Sequence, residues 1–563
     1  MNRFPLQSGA RPEYRDPNAL YFVPLGGTGE IGMNLNVYGY AGDWLIVDCG
    51  VAFGDDSQPG LEVVMPDPGF IAERREHLLG IVATHAHEDH IGAIPYLWRQ
   101  LRCPVWATSF TASLLRAKLV EVGLADQVRI NIVPLSGRFT IGPFDLELIT
   151  LTHSIPEPNA IALRTPVGTV LHTGDWKLDP EPLIGPTADE DALRRIGDEG
   201  VLALIGDSTN ALRPGVSGSE ADLRRSLTDL VGSYDARVAV ACFASNVARL
   251  ETIARAAAVH SREVALVGRS LWRIDKAARE NGYLADLPRF LTDDEAGYIP
   301  RDRILLICTG SQGEPRSALA RIARDDHPHV VLETGDAVIF SSRIIPGNEK
   351  AINRLQNGLV RLGVEIVTEE DHFVHVSGHP ARDELVRMYQ MVRPRIAIPV
   401  HGEARHLVAH AQLAGECQVQ QPLVIQNGDV VRLAPSGAAV VDEVPVGRLA
   451  SDGKGLLPLE GTALKDRRRV TYNGTAVATV VLNRQGHLVA PPAISVIGVV
   501  EPPAAEAATP VLRKAVERAL ADLPAGPRHD DEVVRDAVRR ALRQILNGHF
   551  GKRPLVEIHV VRI

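Results

Sequence analysis

The sequence predicts an α/β protein of about three to four domains, and three observations carry this. The chain has 563 residues, 45% of them hydrophobic and 23% charged, which suffices for several buried cores and excludes a disordered or fibrous chain. Between 21 and 207, short β-rich runs bounded by Gly, Pro, Asn and Asp crowd together. From 219 onward, strand-like and helix-like segments alternate strictly, as in parallel sheets with covering helices.

Residues 1–18 have no apolar stretch of the secretory kind and are expected to form a flexible tail, with the cytoplasm as the default location. YFVPL, NLNVYGY, DWLIVDCG, GIVATHA, RINIVPL, FDLELITL and GTVLHTGD then read as strands. Helical periodicity is confined here mainly to 91–101 and 111–124, which suggests helices covering sheets rather than regular βαβ winding. The alternating stretch runs through SEADLRRSLTDLVGSY, RVAVACF, NVARLETIARAAAVHS, EVALVG, SLWRIDKAARENGYL and RILLICTG. A further αβ run, 348–435, ends in LVIQNGDVVRL, where Asn427-Gly428 predicts a hairpin turn. The Gly-rich stretch 451–465 reads as a linker, and EPPAAEAATP (501–510) as a loop. The last block predicts strands, helices over 510–523 and 530–547, and a final strand over 554–562. The expected domains are therefore 19–212, an insertion 213–347, a return to the first domain over 348–450, and a small α/β domain over 466–563. No stretch can span a bilayer, because the longest apolar one, 488–500, is short and broken by Pro491 and Pro492.

The five cysteines form no CxxC pair and read as reduced, buried thiols rather than a zinc or disulfide framework. The net charge of -9 argues against a generally basic nucleic-acid binder, but it is unevenly distributed. From 466 onward there are 15 Lys and Arg against 10 Asp and Glu, which leaves -14 on the first 465 residues. An acidic body with a basic tail domain can still hold an anionic polymer where cations or dipoles neutralise its phosphates.

The most informative string is THAHEDHIG (84–92). Directly after the apolar GIVA, it sets His85, His87, Asp89 and His90 on a strand-to-helix turn. Imidazole and carboxylate suit zinc or manganese, and the absence of nearby cysteines argues against a purely structural zinc. Alternation lets His85 and His87 share one ion, while Asp89 and His90, one step into the turn, reach a second. More metal-competent groups stand at strand ends: His153 after FDLELITL, Asp175 closing GTVLHTGD, and His401 in PVHGE.

This HxHxDH motif with a distant His, Asp and His resembles the metallo-β-lactamase fold, an αβ/βα sandwich with a two-metal cleft at one edge. The resemblance implies one ion held by His85, His87, His153 and Asp175, and another by Asp89, His90, His401 and the same Asp175 as a bridge. Asp48, closing DWLIVD, would buttress the metal loop without ligating. The 225 residues between Asp175 and His401 look like the β-CASP insertion of nucleic-acid-cleaving members, with Asp207, His379 and His401 in its motifs. The strings PLGGTGEIGMN, FASN, TGSQGEP, IPGNE and HVSGH together resemble the bacterial ribonuclease J family, from about 21 to 443 and more weakly beyond.

What this implies is a two-metal ribonuclease of RNA maturation and decay, releasing 5′-phosphate products. It would act 5′-to-3′ from monophosphate ends on single-stranded RNA, with endonuclease action as well. Two divalent ions, zinc first and manganese as the alternative, would activate water and stabilise the phosphate's added charge. His379, oriented by Asp207, would be the general acid. Ser245, Asn246, His375, Ser377 and Gly378 would bind substrate, most of them around a terminal phosphate. The family also implies a homodimer or higher oligomer and RNA-decay partner proteins, and no membrane.

These strings also have local readings. Period-2 alternation puts His375, Ser377 and His379 on one side of an extended segment, with Gly378 letting a ligand approach. FASN sets Ser245 and Asn246 at a helix N-terminus suited to anions, capping by Ser245 being the plainer reading. TGSQGEP is expected to open a helix at Pro315, with no catalytic role for Gln312 or Glu314. The run Arg467 to Arg469 reads as a solvated charge run, a phosphate contact being the other reading. Against a small-molecule metallohydrolase stand the insertion and HVSGH. Against a non-catalytic scaffold stands the complete ligand set, and against a DNA-processing nuclease stand the shorter strings and the last domain.

Overall fold

A computed structural model describes residues 14, 16, 18–54 and 60–563. They fall into two compact units, one running to Phe53 and over Val63–Gly447, the other comprising Arg448–Ile563 with Gly54–Glu62.

The first unit is built on two large sheets. One has eight strands in the order Ala439–Glu443, Asp429–Ala434, Leu20–Gly26, Leu35–Tyr40, Asp43–Val47, Leu78–Val82, Val105–Ala107 and Ile130–Ile132. The other has seven, in the order Arg138–Ile141, Phe144–Thr150, Asn159–Thr165, Gly168–His172, Ala203–Asp207, Ile396–Val400 and Gln421–Pro422. Alternation explains how they pack. In FDLELIT, Phe144, Leu146 and Leu148 join Leu20, Phe22, Tyr38 and Val47 of the other sheet in one core, while Ile149 points the opposite way. There it meets Leu193, Leu385 and Leu413 of the helices Glu190–Glu199, Arg382–Val392 and Ala404–Glu416. Each such fully buried side chain contributes about 1.5–3 kcal/mol of transfer free energy. The αβ/βα sandwich is thus present.

Register positions the chemistry. Gly168–His172, Ala203–Asp207 and Ile396–Val400 are parallel neighbours, with His172 opposite Ile205 and Asp207 opposite Val400. Their carboxyl ends therefore deliver Asp175, Asp207 and His401 to one edge. Asp43–Val47 and Leu78–Val82 are likewise parallel and deliver Asp48 and the 84–90 turn.

The inserted domain has a five-stranded sheet, ordered Glu263–Val267, Ile304–Cys308, Val238–Ala241, Ala337–Phe340 and Glu365–Val367, with all its pairs parallel. Its edge strand corrects the expected boundary at 347. The helix Glu349–Arg361 is the crossover that carries the chain from Ala337–Phe340 to Glu365–Val367, so both belong to the insertion.

Other expectations are corrected as well. Asn427-Gly428 is not a hairpin turn, since Gln421–Pro422 and Asp429–Ala434 lie in different sheets. Asn427 instead accepts the Thr28 N–H at 3.0 Å, and the hairpin is Asp429–Ala434 with Ala439–Glu443. TGSQGEP leads to a helix that starts later, at Ala318–Ile322, capped by the Ser317 hydroxyl. Most of the expected tail lies outside the described residues, but Tyr14 is buried, packs edge-on against Trp44, and donates to Asp442 at 2.6 Å.

In the second unit, Ala493–Ile497, Thr475–Leu482 and Leu555–Arg562 form a three-stranded sheet. Its alternate residues Ala476, Ala478 and Val480 pack on Leu512, Val516, Val538 and Leu542 of the helices Pro502–Ala521 and Asp531–Phe550. The supposed linker 451–465 is structured: it takes in the end of the strand Arg448–Asp452, the strand Gly455–Pro458 that forms a hairpin with it, and the start of the helix Thr462–Asn473. The supposed loop 501–510 is helical from Pro502: Pro502 and Pro503 sit in the first turn, where no N–H is needed, the alanines favour continuation, and the helix runs on through the interior Pro510.

Candidate metal centre

The turn 84–90 is fixed from below. Asp48, buried and left-handed at φ 64, accepts the Thr84 N–H at 2.8 Å and the Thr84 hydroxyl at 2.9 Å, and His90 Nδ1 at 2.7 Å. It touches no other candidate ligand atom by hydrogen bond among the described residues, which fits a buttress. Gly50 lets the turn settle here, for a Cβ there would stand 1.7 Å from the Asp89 carbonyl oxygen.

All seven candidate ligands converge. His85, His87, His153 and Asp175 form one group, and Asp89, His90, His401 and Asp175 another, with ligand atoms within 4.8 Å of one another in each. Three of the imidazoles turn Nδ1 outward to a partner. The Nδ1 of His85 faces Thr84 Oγ1 at 2.9 Å, that of His153 donates to the Gly378 carbonyl at 2.6 Å, and that of His401 meets the Asn34 amide, at 2.9 Å from Nδ2 and 3.1 Å from Oδ1. The inner nitrogens then meet as lone pairs: His85 Nε2 lies 3.0 Å and His153 Nε2 3.1 Å from His87 Nδ1. Asp175 Oδ2 is 3.1 Å from His90 Nε2, 3.5 Å from His401 Nε2 and 3.8 Å from His153 Nε2, and its buried Oδ1 has no hydrogen-bond partner. Facing lone pairs around an orphaned carboxylate oxygen repel unless cations lie between them, so the residues fit metal ions.

The electrostatics agree. Burial, with the neighbouring imidazoles adding to it, holds His85 and His153 well below the usual histidine range and His87 at about 4, leaving neutral ligands. Burial opposes the charge on Asp175, but His401, His90 and His379 outweigh it and hold the carboxyl well below its usual range.

Beside this cluster, Asp207 Oδ2 accepts from His379 Nδ1 at 2.8 Å, and His379 Nδ1 lies 3.9 Å from Asp175 Oδ2. Burial disfavours the charged imidazole, yet Asp207, then Asp175, raises it to about 9. Asn210 Nδ2 holds this segment by donating to Ser377 Oγ at 2.8 Å and to the His379 carbonyl at 3.0 Å. Ser377 Oγ also accepts the His379 N–H at 3.2 Å, so its own proton is free to donate outward.

His375 is mostly buried, its Nδ1 has no hydrogen-bond partner, and burial followed by Arg249, Arg343 and Lys177 keeps it neutral. Two expectations change here. Gly378 is needed by the His153 ring, whose atoms would lie 2.7 Å from a Cβ, and not by an approaching ligand on that side. The cap of the helix Val247–Val259 is Asn246, whose Oδ1 accepts the Arg249 N–H at 2.9 Å, while Ser245 lies one residue outside. Among the described residues Ser245 makes no side-chain hydrogen bond to 375–379.

Sequence reasoning missed several supports. Asn34 ties His401 to the Asp89 carbonyl, which it reaches at 3.0 Å, and it stood within PLGGTGEIGMN as the signal. Thr84 was visible in THAHEDHIG. Asn210, in GDSTN, and the buried chain Ser208–His410–Tyr389, with contacts of 2.9 and 2.8 Å behind Asp207, carried no recognisable spacing.

Four family models match the chain: the metallo-β-lactamase superfamily at 34–237, the ribonuclease J β-CASP domain at 235–359, the Zn-dependent metallo-hydrolase RNA specificity domain at 363–419, and the ribonuclease J C-terminal domain at 462–563. Ribonuclease J of Sinorhizobium meliloti is 46% identical over 549 residues, covering 97% of each chain. That of Mycolicibacterium smegmatis is 40% identical, covering 98% of this chain and 99% of the relative, and that of Thermus thermophilus 36%, covering 95% and 94%. A crystal structure of a protein of unknown function from Enterococcus faecalis V583 shares the fold over 74% of this chain and 100% of its own, at TM-score 0.50 and 15% identity. With the family's domains in sequence and near full-length likeness to its members, the chain belongs to the ribonuclease J family and is a metal-dependent ribonuclease.

Proposed function

We propose that the chain hydrolyses RNA to 5′-phosphate products, working 5′-to-3′ from monophosphorylated ends and also cutting internally. It would do so with two divalent cations, zinc first and manganese as the alternative. The observation that carries this is the convergence of the seven imidazole and carboxylate groups beside the His379–Asp207 pair. When bound, the cations supply a nucleophile at neutral pH and offset charge on the phosphate. His85, His87, His153 and Asp175 would hold one, and Asp89, His90, His401 and Asp175 the other.

Asp207 accepts the hydrogen bond of His379 Nδ1–H and stabilises the imidazolium, which leaves its Nε2–H to protonate the departing 3′ oxygen. The proton returns to His379 from solvent. Ser377, with its hydroxyl proton unspent, donates to the terminal phosphate, and His375 with its unpartnered Nδ1 stands two residues farther along the same extended row. Arg249, Arg343 and Lys177 lie around His375, each paired with a carboxylate, Glu220, Glu369 and Asp179 respectively, so the hydrogen-bond donors rather than net charge would hold the phosphate there. Asn246 orders the neighbouring helix start, and Ser245, beside that cap, would line the pocket. The protein would act in the cytoplasm on single-stranded RNA, as a homodimer or larger assembly with RNA-decay partners.

The test is degradation of one RNA carrying a 5′-hydroxyl, monophosphate or triphosphate end. The monophosphate should be degraded fastest, and Ser377→Ala should lower that preference by roughly 10- to 150-fold, the worth of one hydrogen bond to a charged group. Equal rates on all three ends would remove the pocket.

A further inference from the structure

The second unit carries positive charge that its own packing leaves unanswered. Of the run 467–469, Arg467 pairs with both oxygens of Asp452, at 2.6 and 2.8 Å, and Arg468 donates to the Leu459 carbonyl at 3.1 Å. Arg469 has no acidic partner among the described residues, and both it and Arg539 lie within electrostatic reach of Arg543, the i+4 neighbour of Arg539 on the helix Asp531–Phe550. The acidic group that reaches Arg543 is Asp536, already paired with Arg539. Arg543 Nε is buried and without a hydrogen-bond partner.

Two more cations close the same corner. Lys552 Nζ donates to the Tyr472 carbonyl at 2.8 Å, while Arg553 reaches Asn473 with its N–H at 3.0 Å and Asn547 with Nε at 3.4 Å. Beside them the Tyr472 side chain is 69% exposed. The plain alternative is that basic residues gather at helix C-termini because the dipole favours them. That effect fades within the last turn, and Arg539 and Arg543 stand 11 and 7 residues before Phe550.

We propose that this corner, formed by Arg469, Arg539, Arg543, Lys552, Arg553 and Tyr472, binds the phosphate backbone of single-stranded RNA. Arginine forks donate paired N–H groups to phosphate oxygens, and an exposed ring between cations offers a face on which a base stacks without sequence preference. The site rests on RNA being the substrate and adds to it an anchoring contact outside the reacting centre. It also gives the basic excess of the 466–563 region a role.

The experiment uses the full chain bearing Arg469→Gln, Arg543→Gln and Lys552→Gln. Affinity for a single-stranded RNA of ~30 nucleotides is measured against salt in a His379→Ala background, so that cleavage does not interfere. Three lost phosphate contacts should weaken binding at least about tenfold at ~0.1 M salt and make the slope of log K against log salt shallower by about 2. Hydrolysis of a tetranucleotide by the triple variant with His379 intact should stay within about twofold. The pair Arg469→Gln with Lys552→Gln spares the half-buried Arg543 and should shift the slope by about 1.4. Unchanged affinity and slope overturn the site. So does an equal loss on the tetranucleotide, or a changed oligomeric state with RNA affinity intact, which would make the corner a contact between copies. If the unsubstituted chain neither binds nor cleaves RNA, the functional reading fails first and the site with it.

Discussion

Asn34 makes the difference between a ligand set and an ordered site. Its amide joins the Asp89 carbonyl to His401 Nδ1 and so fixes which nitrogen of His401 faces inward. Such outer partners are worth about 10- to 100-fold in metal affinity, so Asn34→Ala should weaken cation binding by that amount in competition against a chelator, with the fold intact by circular dichroism. The general acid has its own signature. His379 is raised to about 9 by Asp207 and Asp175 against the effect of burial, and bound cations would pull it back toward neutrality. The protonated form is the active one, so activity should fall as pH rises through that value, and His379→Ala should both lose roughly 10²- to 10⁴-fold in rate and flatten this alkaline limb. A variant that keeps the limb would assign it to another group. At this scale the site was legible where spacing is local. His85, His87, Asp89 and His90 lie within six positions, whereas Asn34 meets His401 across 367 residues and could only be found in three dimensions. Ser245 and Asn246 show the finer failure, since either residue type caps a helix and only the backbone decides which one does.

At the scale of elements, the insertion is joined to the sandwich by buried charge. Arg249 holds Glu220 at 3.1 Å and Ser341 Oγ at 2.6 Å, the Glu220 N–H donates to Asp179, and Asp179 pairs with Lys177 at 2.8 Å. Ser341 in turn donates to the Val374 carbonyl, one residue before His375. Arg249→Met would strand the Glu220 carboxylate in the interior and should cost about 3–5 kcal/mol in chemical denaturation. Adding Glu220→Gln should recover part of that loss, and a single variant within about 1 kcal/mol of wild type would show that the pair is not buried as described. Elements with strong periodicity were legible, such as FDLELITL and the parallel strands of the insertion. Those set by context were not: 501–510 became helix although only Pro502 and Pro503 fall in the tolerant first turn and Pro510 lies inside the helix, and Asn427-Gly428 serves a crossing between sheets that looks locally like a hairpin.

For the whole molecule, fold class was legible because both sheets and their covering helices leave period-2 and period-3.6 marks, and because the metal string names its own edge of the sandwich. Domain limits were less so, since the crossover Glu349–Arg361 reads alike in either domain and the 451–465 stretch hides a short hairpin. No helix among the described residues is long and apolar enough to cross a membrane. An acidic first part that acts on a polyanion is consistent only if its reacting centre is made positive, and that places the burden on the cations. Elemental analysis of the purified, active full-length chain tests this most directly. The geometry of two ligand groups sharing Asp175 predicts about two divalent ions per chain, reduced toward none in His85→Ala with His87→Ala while the fold persists; one ion or none in an active preparation would contradict it.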